Sequence, residues 1–268
     1  VHTVHGYGFT PLQSEPKRFL FWWAEKTMAR FTDHFVTVSE TDRRRGIEMG
    51  LFSPENVRVI RAAIDLDRFR GATGGDAVRE RMGVPVEAPL VTQVGNFKPQ
   101  KAPLDFVRVA AAVHETQPAA WFAMVGDGPL RQAAEELAEE LGVADRVIFA
   151  GWWDDVPGLL AATTVSVLTS RHEGLPCSVV ESLAAGVPVV ATAVDGTVEV
   201  VRSGDNGLLA EAGDIGGLAE SVSRLLANPD LRRRMAVAAR EGLEDFDRDL
   251  MVRQQEELYR WMCSRKPS

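Results

Sequence analysis

The stretch SRHEGLPCSVVESLAAGVPVV, residues 170–190, combines a glycine- and proline-containing loop, an apolar helix and a buried strand. Gly174 and Pro176 predict a tight turn before the helix, and the residues 187–190 (VPVV) predict the strand. Glu173 lies before the turn, and Glu181 lies about a turn into the helix. Because the first N–H groups of a helix are unpaired and its dipole is positive there, this loop could hold an anion beside a polyol.

The same alternation of strand and helix continues on both sides of this stretch. Strands are predicted at 90–94, 121–125, 147–150, 165–168 and 187–191, with helices between them. This order is typical of a doubly wound α/β domain with a parallel sheet, in which ligands bind beyond the carboxyl ends of the strands. Five loops fall at such ends: 95–101, 126–129, 151–155, 170–176 and 195–196.

The remaining chain predicts a smaller α/β unit and a connection to it. Strands at 1–5, 35–38 and 57–60 alternate with helices at 15–31 and 40–49. The pattern breaks at 62–76, where three glycines cluster, and we expect a linker or hinge there. We therefore divide the chain into units 1–61 and 89–241, a linker over 62–88 and a C-terminal helical segment over 242–268. Val1 already reads as strand interior, so we expect that a segment precedes it.

Charge and cysteine content exclude some classes of function. Residues 1–61 carry a net charge of +2 and the remainder −10, for a total of −8. The acidic larger part argues against nucleic acid as a partner, because phosphate neutralisation needs a basic face. The two cysteines, Cys177 and Cys263, form no disulfide framework or metal spacing, which favours a reducing, cytoplasmic setting.

The helix predicted at 15–31 has two interpretations. Its basic residues are interleaved with Phe21, Trp22 and Trp23, a pattern that allows contact with a membrane surface. The commoner alternative is a helix that packs on the core and keeps a solvated basic edge. If the first holds, the protein is peripheral at the inner face of the membrane.

The carboxylates and the lysine of the loops suit a phosphorylated sugar ligand. A carboxylate such as Glu173 or Glu181 accepts two hydrogen bonds from vicinal hydroxyls. The alternatives are an acid that complements the helix dipole and a surface acid, but the apolar neighbours of Glu181 favour a functional role. Lys101 could neutralise a phosphate, although a loop lysine is more often only solvated. Gly95 and Gly126 would let the backbone approach the ligand closely.

For two tryptophans and one histidine, the sequence is compatible with either a ligand-binding or a structural role. Trp152 and Trp153 follow a strand end and could cover a nucleobase, but Trp is also a common core residue. His5 lies at the end of the first strand beside Gly6 and could contact a sugar hydroxyl, or it could be structural.

The run 170–209, SRHEGLPCSVVESLAAGVPVVATAVDGTVEVVRSGDNGLL, resembles the signature of retaining family 4-type glycosyltransferases of the GT-B fold. The shared pattern is an acid-Gly-Leu-Pro loop, a second Glu after seven residues, Gly-x-Pro-Val-Val and a Gly-x-x-Glu turn. VGNFKPQKAP, VGDGPLR and VHTVHGYGF resemble three further loops of that family. The resemblance implies a complete C-terminal Rossmann-like domain with a parallel sheet and a partial N-terminal one.

The resemblance also implies roles for single residues. Glu181 would hold the ribose, Glu173 the hydroxyls of the transferred sugar, and the N–H groups of Gly174 and Leu175 the diphosphate together with Lys101. The segment after Gly151 would contact the base, and His5 would reach the sugar. The family usually has Arg where this chain has Asn96, so stabilisation of the diphosphate would fall more on Lys101 and the helix N-terminus.

We therefore expect an enzyme that moves a sugar from a nucleoside diphosphate donor to a glycan or lipid-linked acceptor hydroxyl with retention. Glu173, His5 and Lys101 are the candidate catalytic residues, and no metal or other cofactor is expected because no carboxylates form an evident ligand set. Two alternatives stay open. One is a GT-B-type nucleotide-sugar epimerase, and the other is a nucleotide-sugar binding fragment that is inactive on its own.

Overall fold

The chain forms two parallel sheets in a computed structural model that describes residues 1–9 and 13–265. The strands are β1 (His2–Val4), β2 (Phe35–Thr37), β3 (Val57–Val59), β4 (Leu90–Val94), β5 (Trp121–Val125), β6 (Val147–Gly151), β7 (Val165–Leu168), β8 (Val189–Thr192) and β9 (Gly207–Ala210). The smaller sheet has the order β1-β2-β3, and the larger has the order β6-β5-β4-β7-β8-β9. The predicted α/β class with parallel sheets is confirmed.

Helices connect the strands and cover the sheets. They are α1 (Glu15–Ala29), α2 (Glu40–Glu48), α3 (Leu66–Arg70), α4 (Gly75–Met82), α5 (Pro103–Thr116), α6 (Arg131–Glu140), α7 (Val156–Ala162), α8 (Cys177–Ala184), α9 (Thr197–Val200), α10 (Ile215–Ala227), α11 (Pro229–Ala239) and α12 (Arg248–Arg265). Single 3₁₀ turns lie at Pro99–Lys101 and Glu244–Phe246. The helix predicted within residues 170–190 is α8, which follows the loop that contains Glu173.

The larger sheet is buried on both faces, which explains its continuous apolar strands. Val91 of β4 packs with Phe106 of α5 in one core cluster. The adjacent Leu90 packs on the opposite face with Leu159 of α7. Successive strand residues point to opposite faces, so a strand between two helical layers is apolar on both faces. The buried polar residues Thr92 and Gln93 of β4 have hydrogen-bonded side chains.

The C-terminal helix packs on the smaller sheet. Leu258 of α12 is fully buried against Val36 of β2 and Ile60. Trp261 contacts the ring of His34 with a centroid separation of 5.4 Å. The last helix of the chain therefore joins the unit that contains β1 to β3.

The segment that we expected to be a linker contains α3 and α4. Leu66 and Phe69 of α3 are buried in the same core cluster as Leu183 of α8. A Cβ atom built on Gly75 would lie 2.7 Å from the carbonyl oxygen of Ala161, so α4 packs closely on α7. The glycine cluster marks the boundaries of short helices here, with Gly74 as the N-cap of α4 at φ +86°. A hinge motion in this segment stays a prediction.

Candidate active site

Close backbone contacts bring the strand-end loops of the larger sheet together. A Cβ atom on Gly126 would lie 2.2 Å from the carbonyl oxygen of Gly95, so only glycine fits there. The N–H of Gly126 also donates to the carbonyl oxygen of Gly151 at 2.8 Å. A Cβ atom on Gly196 would lie 2.0 Å from the carbonyl oxygen of Gly174. The loops predicted to share one sheet edge therefore form one contiguous surface.

Glu173 is the buried centre of this surface. Its Oε1 accepts a hydrogen bond from Lys101 Nζ at 2.5 Å and from Ser170 Oγ at 2.6 Å. Its backbone N–H donates to Asp195 Oδ2 at 2.9 Å. The residue is 6% exposed, so this carboxylate depends on its donors to offset desolvation. The structure thus pairs two of the three residues that we predicted as catalytic.

Lys101 is held in place through its main chain. Its carbonyl oxygen accepts from Thr169 Oγ1 at 2.9 Å and from Gln93 Nε2 at 3.3 Å. Thr169 directly follows β7, and Gln93 belongs to the neighbouring β4. The ammonium group is therefore positioned by the ends of two adjacent strands, and its side chain is only partly exposed.

Glu181 lies on α8, one helix turn beyond the loop, and is half-buried. Burial raises the pKa of its carboxyl group to about 7, and the positive charge of Arg68 on α3 partly opposes that shift. Glu181 is therefore a group whose protonation responds to pH near neutrality. A polar ligand that supplies hydroxyl donors here would stabilise the ionised form.

The loop after β1 touches the Glu173 loop directly. A Cβ atom on Gly174 would lie 2.7 Å from the carbonyl oxygen of His5. His5 itself is exposed, and Leu175 is buried in the core cluster of α8. Asn96 is exposed at the end of β4. The structure thus places His5 and Asn96 at the rim of the site and Leu175 beneath it.

The two tryptophans after β6 lie in different environments. Trp152 is 74% exposed. Trp153 packs partly buried under α4, where the guanidinium of Arg81 lies 4.0 Å from its ring centroid. Among the described residues, no acceptor reaches its buried Nε1. Trp152 thus stays free to contact a base, whereas the face of Trp153 is already covered by Arg81.

A cavity of about 280 Å³ between the two units was not foreseen from the sequence. Residues from both units line it; they include Gly6, Tyr7, Asp42, Arg45, Arg171, His172, Glu173 and Asp195. Arg45 Nη1 lies 3.6 Å from Asp195 Oδ1 across the cavity. Asp195 has φ +40°, a left-handed conformation that is costly for a residue other than glycine. Gly6, Glu173 and the Asp-Gly pair at 195–196 are separate signals in the sequence, which did not predict that Gly6, Glu173 and Asp195 line one cavity.

Glu199 of α9 forms a second contact between the units. Its carboxylate accepts from the backbone N–H groups of Thr41 at 2.8 Å and Glu40 at 3.1 Å, which begin α2. Arg61 Nη1 donates to the same carboxylate at 2.6 Å. Burial alone would raise the pKa of Glu199, but these hydrogen bonds outweigh it and lower that pKa below its usual range. The Gly-x-x-Glu turn at 196–199 was its only sequence signal.

The described residues include neither a membrane-spanning helix nor a cluster of metal-ligating side chains. Residues 1–9 and 13–265 contain no helix long and apolar enough to cross a bilayer. In the same ranges no three His, Cys, Asp or Glu side chains group as metal ligands. Independence from metals remains an expectation.

Two parallel-sheet units with an acid-lined loop cluster at one sheet edge define a protein of the GT-B class. Residues 76–242 match the family model "Glycosyl transferases group 1", and residues 1–68 match "Glycosyltransferase Family 4". The first match covers more than half of the chain. The chain therefore belongs to the group 1 glycosyltransferases, as its resemblance predicted.

Similar proteins include enzymes with quite different acceptors. The chain is 34% identical to N-acetyl-alpha-D-glucosaminyl L-malate synthase of Bacillus anthracis, over 97% of this chain and 67% of that protein. It is 29% identical to the Escherichia coli UDP-Gal:alpha-D-GlcNAc-diphosphoundecaprenol alpha-1,3-galactosyltransferase, over 84% of this chain and 59% of that protein. Anabaena Alr3699/HepE in complex with UDP and glucose superposes with a TM-score of 0.86 at 22% identity, over 96% of this chain and 70% of that one.

The chain spans between about half and two-thirds of the length of the curated relatives it matches. The family is thus established for the chain, while the activity and substrates of the whole protein are proposals.

Proposed function

We propose that the protein transfers a sugar from a nucleoside diphosphate sugar to an acceptor hydroxyl, with retained configuration. The observation that carries this proposal is the contact of Lys101 with Glu173 immediately before α8. A cation and a helix N-terminus at one point suit a diphosphate, and the adjoining carboxylate suits sugar hydroxyls. The family membership and the names of the relatives support the same reaction.

In this proposal the donor lies along α8, with the diphosphate over its first turn. Glu181 accepts hydrogen bonds from the ribose, and Glu173 and His5 hold the transferred sugar. The bond between the anomeric carbon and the phosphate oxygen breaks, and a bond to the acceptor oxygen forms. The acceptor proton passes to the departing phosphate oxygen. Lys101 and the N–H groups of Gly174 and Leu175 stabilise the negative charge that develops there.

Because Lys101 and the helix N-terminus supply positive charge, we propose that transfer needs no metal. Activity that survives excess EDTA is the expected result. Loss of activity in EDTA, with recovery on adding Mg²⁺ or Mn²⁺, would contradict this part of the proposal.

The proposed acceptor is a glycan or a lipid-linked sugar, and α1 is proposed to contact the membrane that carries it. Leu20 and Trp23 of α1 are 59% and 55% exposed, and Phe31, two residues beyond the end of α1, is 80% exposed. Trp22 and Ala29, on the other side of the helix, pack on the core of the smaller unit. Lys17 and Arg30 add the positive charge that anionic lipid attracts.

Vesicle sedimentation tests the membrane contact. The chain should bind phosphatidylglycerol vesicles more than phosphatidylcholine vesicles, and the triple variant L20S/W23S/F31S should lose that binding. Val237→Ser removes an equally exposed apolar side chain from α11 and serves as the control. Unchanged binding of the triple variant would exclude α1 as the contact.

Calorimetry with UDP and product analysis test the proposed reaction. We expect UDP to bind with micromolar affinity, and transfer from UDP-hexoses to give a glycoside whose anomeric proton coupling matches that of the donor. An inverted coupling would refute retention. Epimerised nucleotide sugar formed without any acceptor would favour an epimerase, and binding without turnover would favour an inactive binding fragment.

A further inference from the structure

The cavity between the two units contains a buried carboxylate with an unused acceptor oxygen. Asp42 of α2 lines this cavity and is 2% exposed. Among the described residues no donor reaches its Oδ2. Buried polar atoms nearly always have hydrogen-bond partners, so an orphaned carboxylate oxygen in a cavity wall points to a donor supplied by a ligand.

The position of Asp42 is fixed by its own backbone. Its N–H donates to Ser39 Oγ at 3.0 Å, which caps α2. Its carbonyl oxygen accepts from the hydroxyl of Tyr7 at 2.7 Å. These two bonds fix the backbone of Asp42 at the start of α2, and its side chain is buried in the cavity wall.

The two arginine side chains that line the cavity already form ion pairs with aspartates. Arg45 lies beside Asp195, and Arg171 donates to Asp105. Burial lowers the pKa of His172, which favours its neutral form. The group left for a ligand is therefore an acceptor, which suits neutral hydroxyl donors and disfavours a second anion.

We propose that Asp42 binds a hydroxyl of the acceptor and thereby selects neutral, sugar-ended acceptors over anionic ones. This inference rests on the proposed transferase function. The cavity is bounded by Glu173 on one side, so an acceptor held by Asp42 reaches the sugar that Glu173 holds. Burial raises the pKa of Asp42 to about 6, although the hydrogen bond with Ser39 and the charge of Arg45 oppose that shift. A hydroxyl donor to the unpartnered Oδ2 would stabilise the ionised form further.

The test measures transfer by the full chain from UDP-hexoses to octyl α-D-glycosides of glucose, galactose, mannose and N-acetylglucosamine, with L-malate as the anionic acceptor. Asp42→Asn, and Asp42→Ser as a second variant, should raise KM for the octyl glycoside at least tenfold. KM for the donor should change less than twofold. Asp67→Asn is the matched control, since Asp67 is a fully exposed aspartate on α3.

The possible outcomes distinguish failure of the proposed role of Asp42 from failure of the proposed transferase function. An unchanged acceptor KM in Asp42→Asn, or equal rises for donor and acceptor, overturns the role of Asp42 while the transferase proposal stands. Transfer to L-malate but to none of the glycosides also overturns it, as does UDP binding without transfer to any of them. Failure of the wild type to bind any nucleoside diphosphate refutes the proposed function itself, and this inference with it.

Discussion

At the scale of single residues, Glu173 lies in the loop before α8 and Glu181 lies within α8, and the two carboxylates differ in their partners. Glu173 is paired with Lys101 and Ser170, whereas the burial of Glu181 raises the pKa of its carboxyl group to about 7. A group destabilised in its charged form gains most from new hydrogen-bond donors. We therefore expect Glu181 to contribute to ligand affinity more than to the stability of the protein.

Replacement of Glu181 tests that expectation. Glu181→Ala should weaken UDP binding about tenfold or more, since hydrogen bonds to a charged group contribute about 1.5–3 kcal/mol. Calorimetry measures the affinity, and Glu139→Ala, at an exposed site on α6, is the control. Unchanged affinity for UDP would remove Glu181 from the proposed ribose site.

Lys101 should both bind the diphosphate and neutralise the buried carboxylate of Glu173. Lys101→Ala should lower the affinity for UDP far more than that for uridine. It should also lower the free energy of unfolding by about 2–4 kcal/mol, because it leaves the buried Glu173 without its cation. Urea unfolding and calorimetry measure both effects, with the exposed Lys98→Ala as control. Equal losses for UDP and uridine would contradict the phosphate role.

The two raised carboxyl pKa values predict that the ligand-free protein loses stability as pH rises. Burial holds the pKa of Asp42 at about 6, above the unfolded value of 3.8, and that of Glu181 at about 7, above 4.5. Between those limits the native state binds more protons than the unfolded state, so its stability falls with rising pH. Glu199, with its lowered pKa, acts below pH 5 in the opposite sense.

Urea unfolding at pH 5 and pH 7.5 measures this dependence. We expect the free energy of unfolding to be about 4 kcal/mol lower at pH 7.5, because both carboxyl groups lose their native-state protons over this interval. The double variant D42N/E181Q, which cannot titrate at these positions, should show a much smaller difference. An equal or larger difference in that variant would assign the pH dependence to other groups.

At the scale of elements, the first turn of α2 is capped by a side chain from the other unit. Glu199 accepts from the N–H groups of Glu40 and Thr41 and pairs with Arg61. A carboxylate at a helix N-terminus is stabilised by the dipole, and loss of a cap costs about 0.5–2 kcal/mol. The unit that contains α9 therefore helps to hold α2, which carries Asp42, in place.

Amide exchange tests this contact. In Glu199→Gln the amides of Glu40 and Thr41 should exchange about tenfold faster, while those of β4 stay unchanged. Glu241→Gln, at an exposed position, is the control. Equal protection in the wild type and in Glu199→Gln would show that the cap is not needed for the order of α2.

At the scale of the whole molecule, donor binding should stabilise the fold. A ligand bound only by the native state adds about 2.7 kcal/mol to the free energy of unfolding at a concentration 100 times its Kd. UDP should therefore move the urea midpoint upward in the wild type and roughly half as far in Glu181→Ala at the same concentration. Equal shifts in both proteins would mean that UDP binds elsewhere.

Part of this architecture could be predicted because strands and helices have sequence patterns that extend over only a few neighbouring residues. Strand and helix periodicity predicted the parallel sheets, and the carboxyl ends of parallel strands must share an edge. That rule correctly predicted the meeting of Lys101 with Glu173, which are 72 positions apart. In the segment 62–88, the glycines that predicted a linker lie at the ends of α3 and α4, which the sequence pattern did not predict. The linker and hinge role of this segment stays a prediction.

The sequence by itself determined the parallel α/β fold, the edge that carries the loops and the acids Glu173 and Glu181. Only the tertiary structure decided what faces those acids. The environment of Asp42, the capping of α2 by Glu199 and the raised pKa of Glu181 all depend on how elements distant along the chain pack. Burial and pairing are properties of that packing, and periodicity along the chain does not encode which side chains will meet across it.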